Sequence, residues 1–136
     1  MDMSVWKPRI LCVEDNKDSR EIVQALLRTS DNDYSITLVE TGAEALDLIA
    51  RTEFDLYILD IWLPGMDGLD LCRRIRARGI SVPIIFFSAM VRPDDLQYGL
   101  AAGANEFLVK PRDIELLVDT VDRLLYNTLF WPPESV

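Results

Sequence analysis

The chain has 136 residues, enough for one domain with its own core and too few for a second of ordinary size. Its 49% hydrophobic and 27% charged residues exclude a disordered polymer, and a net charge of −9 argues against gripping a nucleic-acid backbone, which takes clustered Lys and Arg. The absence of His excludes imidazole metal sites and His-based triads, while Cys12 and Cys72 sit inside apolar stretches and read as core residues.

Apolar runs alternate with amphipathic segments along the chain, the pattern of a parallel sheet covered by helices on both faces. Residues 10–13, 56–59 and 84–87 are short continuous apolar runs, as expected of strands buried on both sides. Residues 34–39 alternate, with Ile36 and Leu38 on one face and Ser35 and Thr37 on the other, which predicts an edge strand. Residues 107–109 give a fifth strand.

Between the strands, Ile22, Val23, Leu26 and Leu27 form a first helical stripe. Thr41 and Glu44 make a capping box that opens a second helix carrying Ala45, Leu46 and Ile49. A third helix over residues 69–78 ends at Gly79. Pro93 and Asp94 open a fourth, weakened by Gly99 and Gly103, where close packing is the alternative reason for glycine. Ile114, Leu117, Val118, Val121, Leu124 and Leu125 form the last stripe. These elements predict a single α/β domain over residues 1–136, doubly wound, with its core at about 8–126 and an apolar tail over 127–136.

In an open α/β sheet, ligands bind beyond the carboxyl ends of the strands. Glu14 and Asp15 follow the first run, Asp60 the third, Ser88 the fourth and Lys110 the fifth. Singly, each has a bland reading: a carboxylate there is more often a helix cap or a solvated loop residue, and a Lys before Pro is usually just exposed. Together, reactive groups ending four of five strands at one edge are hard to obtain from capping alone.

The runs Val13-Glu14-Asp15-Asn16, Leu59-Asp60-Ile61-Trp62-Leu63-Pro64-Gly65-Met66-Asp67-Gly68, Phe86-Phe87-Ser88-Ala89 and Phe107-Leu108-Val109-Lys110-Pro111 resemble those of the response-regulator receiver family, across roughly residues 8–126. The resemblance implies a flavodoxin-like fold, a five-stranded parallel sheet ordered 2-1-3-4-5. It implies Asp60 as phospho-acceptor, Lys110 and Ser88 as its catalytic neighbours, and Mg²⁺ held by Asp15, Asp60, the Trp62 backbone carbonyl and, through a metal-bound water, Glu14. It also implies a switch through Ser88 and Phe107, although Phe107 reads equally well as a core strand residue. Trp62 and Met90 occupy the positions that flank the hydrolytic path in the family; both are bulky, so slow loss of the phosphoryl group is expected.

The expected phosphoryl donor is a histidine kinase or a phosphotransfer protein, and the expected output is a protein contact through the fourth helix, fifth strand and fifth helix. With no DNA-binding or catalytic segment in the sequence, a stand-alone receiver is expected, which modifies only itself and is not otherwise an enzyme. A homodimer is left open. No apolar run is long enough to span a bilayer and no signal peptide is evident, which places the expected site of action in the cytoplasm, away from membranes. A phosphorylation-independent adaptor is the alternative, and an aspartate-nucleophile phosphatase a weaker one, because Trp62 stands where such enzymes of the haloacid-dehalogenase type carry a second Asp. Flavodoxin-like cofactor binding is disfavoured because the first loop, EDNKDSR, lacks a phosphate-cradling Gly or Ser/Thr run.

Overall fold

A computed structural model describes residues 6–89 and 92–127. The predicted alternation is present: β1 (Arg9–Val13), α1 (Lys17–Leu27), β2 (Ser35–Val39), α2 (Gly42–Ile49), β3 (Leu56–Leu59), α3 (Gly68–Ala77), β4 (Ile84–Ser88), α4 (Asp95–Ala102), β5 (Glu106–Val109) and α5 (Leu117–Asp122). The five strands form one sheet ordered β2-β1-β3-β4-β5, all pairs parallel. β2 is an edge, as its alternating pattern predicts.

Period-two alternation divides the strand side chains between two cores. Leu11, Val13, Tyr57, Leu59, Ile84 and Phe86 face α2, α3 and α4, where they meet Ala45, Ile49, Leu71, Ile75 and Ala102. Ile10, Cys12, Leu56, Ile58, Ile85, Phe87 and Leu108 face α1 and α5, against Val23, Leu27, Leu117 and Val121. Cys12 and Cys72 belong to opposite cores, so the sheet separates the two thiols. Burial pushes the Cys12 thiol up to about 12 and raises that of Cys72.

The helix ends follow from local chemistry. Asn16, Thr41 and Asp67 each accept a hydrogen bond from the backbone N–H three residues on, capping α1, α2 and α3. At α2 the Glu44 carboxylate reaches back to the Thr41 hydroxyl (3.1 Å) and the Glu40 N–H (3.4 Å). The two glycines assigned to α4 have different roles. Gly103 is not interior; it ends the helix with φ 114°, a conformation costly for any residue with a Cβ. Gly99 is interior, and a Cβ there would lie 2.9 Å from the Phe107 ring, so close packing is the reason for it.

The last stripe does not form one uninterrupted α-helix. Ile114 N–H bonds the Pro111 carbonyl and Leu116 N–H that of Asp113, so the segment begins with a 3-10 turn, Ile114–Leu116, continues as α5 and closes in a π turn, Arg123–Asn127. Of the expected 127–136 tail, residues 128–136 lie outside the described residues.

At the amino end of the sheet one guanidinium joins several segments. Arg76, from the last turn of α3, donates to the carbonyls of Gly103 (3.0 and 2.8 Å), Ile80 (2.9 Å) and Val82 (2.6 Å) and to Asn105 Oδ1 (3.0 Å). That Asn105 oxygen also accepts from the Ile84 N–H at 2.9 Å.

Candidate functional site

Parallel strands deliver their carboxyl ends to one edge, and there the structure brings together Glu14, Asp15, Asp60, Ser88 and Lys110. The ladders continue just past the strands: Glu14 N–H bonds the Val39 carbonyl (3.0 Å), Asp60 N–H that of Val13 (3.1 Å) and Lys110 N–H that of Ser88 (2.9 Å). The backbone positions of Glu14, Asp60 and Lys110 are therefore fixed by the sheet itself. After Asp60 the chain turns back tightly, with Gly68 N–H on the Ile61 carbonyl at 2.8 Å. A Cβ at Gly68 would sit 2.0 Å from the Asp60 carbonyl oxygen, so this return requires glycine.

Asp60 is 7% exposed and its two carboxylate oxygens have different neighbours. Oδ1 accepts from Ser88 Oγ at 2.5 Å and from the Trp62 N–H at 3.1 Å. Oδ2 lies 3.5 Å from Lys110 Nζ. The same ammonium is 2.5 Å from Glu14 Oε1 and 3.3 Å from Ser19 Oγ, and stands over the Phe87 ring. Burial and the adjacent Asp60 push the Glu14 carboxyl up to about 7, with Lys110 and the Asn16 N–H acting in the opposite direction.

Ligand oxygens of Glu14, Asp15 and Asp60 all lie within 4.8 Å of one another. Hard oxygen donors clustered at this spacing, Asp15 being exposed to solvent, suit a cation that prefers oxygen and keeps several waters. The fit to Mg²⁺ is thus one of donor type and charge.

Two residues near this edge carry no signal that set them apart in the sequence. Arg20, on α1, donates to the carbonyls of Glu14 (2.9 Å) and Asp15 (3.0 Å) and pairs with Glu40 at 3.1 Å, fixing the loop that bears the acidic pair. Ser19, one residue earlier, gives Lys110 a neutral partner. Spacing points to both only in retrospect: α1 begins directly after the loop, so its first turn must face it.

The remaining expected residues lie around the cluster. Trp62 is 43% exposed; its Nε1–H donates to the Ala89 carbonyl at 2.9 Å, and the Arg92 guanidinium lies 5.3 Å from the ring centroid. Phe107 is half-buried on β5, tilted against Phe86 at 5.5 Å and lying under Gly99. Met90 lies outside the described residues.

Comparison with known proteins agrees with this geometry. The sequence model of the response regulator receiver domain matches residues 10–122. Similar relatives include Response regulator MprA of Mycobacterium sp. (strain KMS), 40% identical over 120 residues that cover 88% of this chain and 51% of the relative. Response regulator MprA of Mycobacterium leprae (strain TN) is 38% identical over 120 residues, covering 88% and 52%. The chain spans about half the length of the curated relatives it matches. Among solved structures, the receiver domain of the Francisella response regulator 1452 superposes with a TM-score of 0.81 at 28% identity, over 90% of this chain and 99% of that one. Chemotaxis response regulator CheY4 of Vibrio cholerae gives 0.77 at 30% identity, over 88% and 100%. Receiver domains in general are phosphorylated on an aspartate, bind Mg²⁺ at an acidic pocket and interact with histidine kinases and effectors. By fold, by the groups gathered at one sheet edge and by these likenesses, the chain belongs to the response regulator receiver domains of two-component signalling.

Proposed function

We propose that this domain accepts a phosphoryl group on Asp60 from a histidine kinase or a phosphotransfer protein and passes the signal on through protein contacts. What carries this reading is the convergence on the two Asp60 oxygens of a hydroxyl, an ammonium and an acidic cluster, all delivered by strand ends.

An Asp60 carboxylate oxygen attacks the phosphorus of a phosphohistidine, an O–P bond forms as the P–N bond breaks, and the imidazole nitrogen leaves with the electron pair and takes up a proton. Lys110 holds one phosphoryl oxygen by charge and Ser88 Oγ turns from Asp60 Oδ1 to donate to another. Asp15, Asp60, the Trp62 carbonyl and, through water, Glu14 would hold Mg²⁺. When bound, the ion supplies charge neutralisation for the incoming phosphoryl group. Arg20 keeps the acidic loop in register without touching the reacting atoms.

As Ser88 follows the phosphoryl group, Phe107 is the aromatic free to change position, and α4, β5 and α5 form the surface that an effector reads. Trp62 and Met90 flank the path of hydrolytic water and lengthen the lifetime of the phosphorylated state. The proposed setting is cytoplasmic; among the described residues no helix is long and apolar enough to cross a membrane.

Intact-mass measurement after incubation with acetyl phosphate and Mg²⁺ tests the central step. Wild type should gain one phosphoryl mass and Asp60→Asn none, because an amide is not a competent nucleophile. A comparable adduct on Asp60→Asn would place the acceptor elsewhere.

A further inference from the structure

Trp62 closes a ring of contacts around the acceptor that neither Ser88 nor Phe107 explains. Its backbone N–H donates to Asp60 Oδ1, the oxygen that also takes the Ser88 hydroxyl. Its indole Nε1–H donates to the carbonyl of Ala89, the residue directly after Ser88. The circuit runs from Asp60 to Ser88, along the chain to Ala89, across to the indole and back to Asp60. The acceptor of the indole N–H is thus the backbone of the residue that follows Ser88.

The other face of the ring reaches α4. The Arg92 guanidinium stacks on it, and Arg92 also bonds Asp95, the first residue of α4, through Nη2 to Oδ1 (3.3 Å) and N–H to Oδ2 (2.7 Å). Asp95 is fully buried, whereas the Arg92 side chain is 67% exposed. The guanidinium thus bridges an indole on one loop to a buried carboxylate that opens a helix on the other.

We propose that Trp62 is a positioning residue that tethers the start of α4 to the β3–α3 loop in the unphosphorylated protein, with Arg92 as the link. The proposal rests on the reading of Asp60 as acceptor and names the regulation of that site: the tether opposes the move that phosphorylation drives. The indole N–H is occupied by Ala89 and the ring lies against Arg92, so both faces of the tether hold the chain before α4. Releasing it shifts unphosphorylated molecules toward the phosphorylated arrangement.

The test uses the whole chain and three variants. Trp62→Phe keeps a ring and loses the donor, Arg92→Ala loses the stacking and the guanidinium bond to Asp95 but keeps the backbone N–H bond to it, and Arg92→Lys keeps a cation over the ring. Amide NMR of Asp95 to Leu100 is compared with the unphosphorylated and phosphorylated wild type. Trp62→Phe and Arg92→Ala, unphosphorylated, should move along the line joining the two wild-type positions, and Arg92→Lys should stay near the unphosphorylated one. Because a partly solvated hydrogen bond or cation–π contact is modest, the rate of phosphorylation by acetyl phosphate should rise roughly fivefold in the first two variants.

Amides that stay at the unphosphorylated positions in both variants, or that leave the line, overturn the tether. So does a variant whose only change is faster decay of the adduct, which would make Trp62 a shield against water. Absence of any phosphoryl mass on wild type is a different result: it removes the acceptor reading, and the tether with it.

Discussion

The two ends of the sheet each gather oxygens around one cation, with opposite consequences. At the amino end Arg76 meets neutral acceptors, the carbonyls of Gly103, Ile80 and Val82 and the Asn105 amide, in a planar fork that no rearrangement could satisfy better. At the carboxyl end Lys110, a point charge on a flexible stem, is shared between Glu14, Asp60 and Ser19. The two carboxylates among them repel one another, and one of the two, Asp60, is expected to change its covalent state. The first cation fixes the fold; the second has alternative partners within reach, which is what a switch needs.

Removing each cation should separate the two roles. Arg76→Ala leaves three carbonyls without their donor and should cost about 3 kcal/mol, independent of pH between 5 and 8, because none of its acceptors titrates. Urea unfolding checks it. A loss below about 1 kcal/mol would mean that water replaces the guanidinium.

Without metal, the carboxyl end should behave differently with pH. The Glu14 carboxyl is raised to about 7 from an ordinary 4.5, so the folded state retains a proton that the unfolded chain releases between those values. Stability from this group is full below pH 4.5 and is lost as pH rises through 7. Lys110→Ala removes an influence that lowers the Glu14 value, so the loss should extend to higher pH. Thermal melts in a chelator across this range make the comparison; parallel curves for wild type and Lys110→Ala would show that the pair is not coupled.

Metal sharpens the same contrast with a smaller effect. At tenfold excess over its dissociation constant Mg²⁺ should stabilise by about 1.4 kcal/mol, roughly 5 °C in Tm, and Asp15→Ala should abolish the rise. Arg76→Ala should keep it. An undiminished Mg²⁺ response in Asp15→Ala would put the ion elsewhere.

The smallest expected effect is none. Cys12 and Cys72 lie within opposite cores, with thiols raised by burial, and should resist alkylation in the folded protein at either end of the pH range. Labelling of Cys72 faster than global unfolding would reveal local opening beside α4, since its Sγ touches the Ala102 carbonyl at 3.4 Å.

Strand character was legible because burial on both faces leaves uninterrupted apolar runs, and the positions of Asp60, Ser88 and Lys110 were legible because parallel strands end at one edge. Arg76 was not. It belongs to the run Arg73, Arg74, Arg76 and Arg78, where composition alone does not say which side chain turns inward; only the meeting of α3 with the β4 and α4 termini selects it. Trp62 was legible as a bulky residue beside the acceptor, but the partner of its indole Nε1–H lies 27 residues away and depends on a loop path that periodicity does not encode. In the sequence Gly99 is equally a weakness of α4 and a site of close packing; close packing holds because Phe107 arrives from a separate strand, which local sequence does not encode.

The grip of Arg76 on Gly103 has a mechanical consequence. It clamps α4 just past its carboxyl end by two bonds, whereas the amino end hangs from Asp95 and a solvated arginine. A rod clamped at one end cannot slide; it pivots. With a fulcrum at Gly103 and an arm of eight residues, about 12 Å long, a rotation of about 10° carries the Asp95 end roughly 2 Å. The carboxyl end stays in place. Displacement on phosphorylation should therefore grow steadily from Ala102 back to Asp95, a gradient that residue-by-residue amide shifts along the helix would trace.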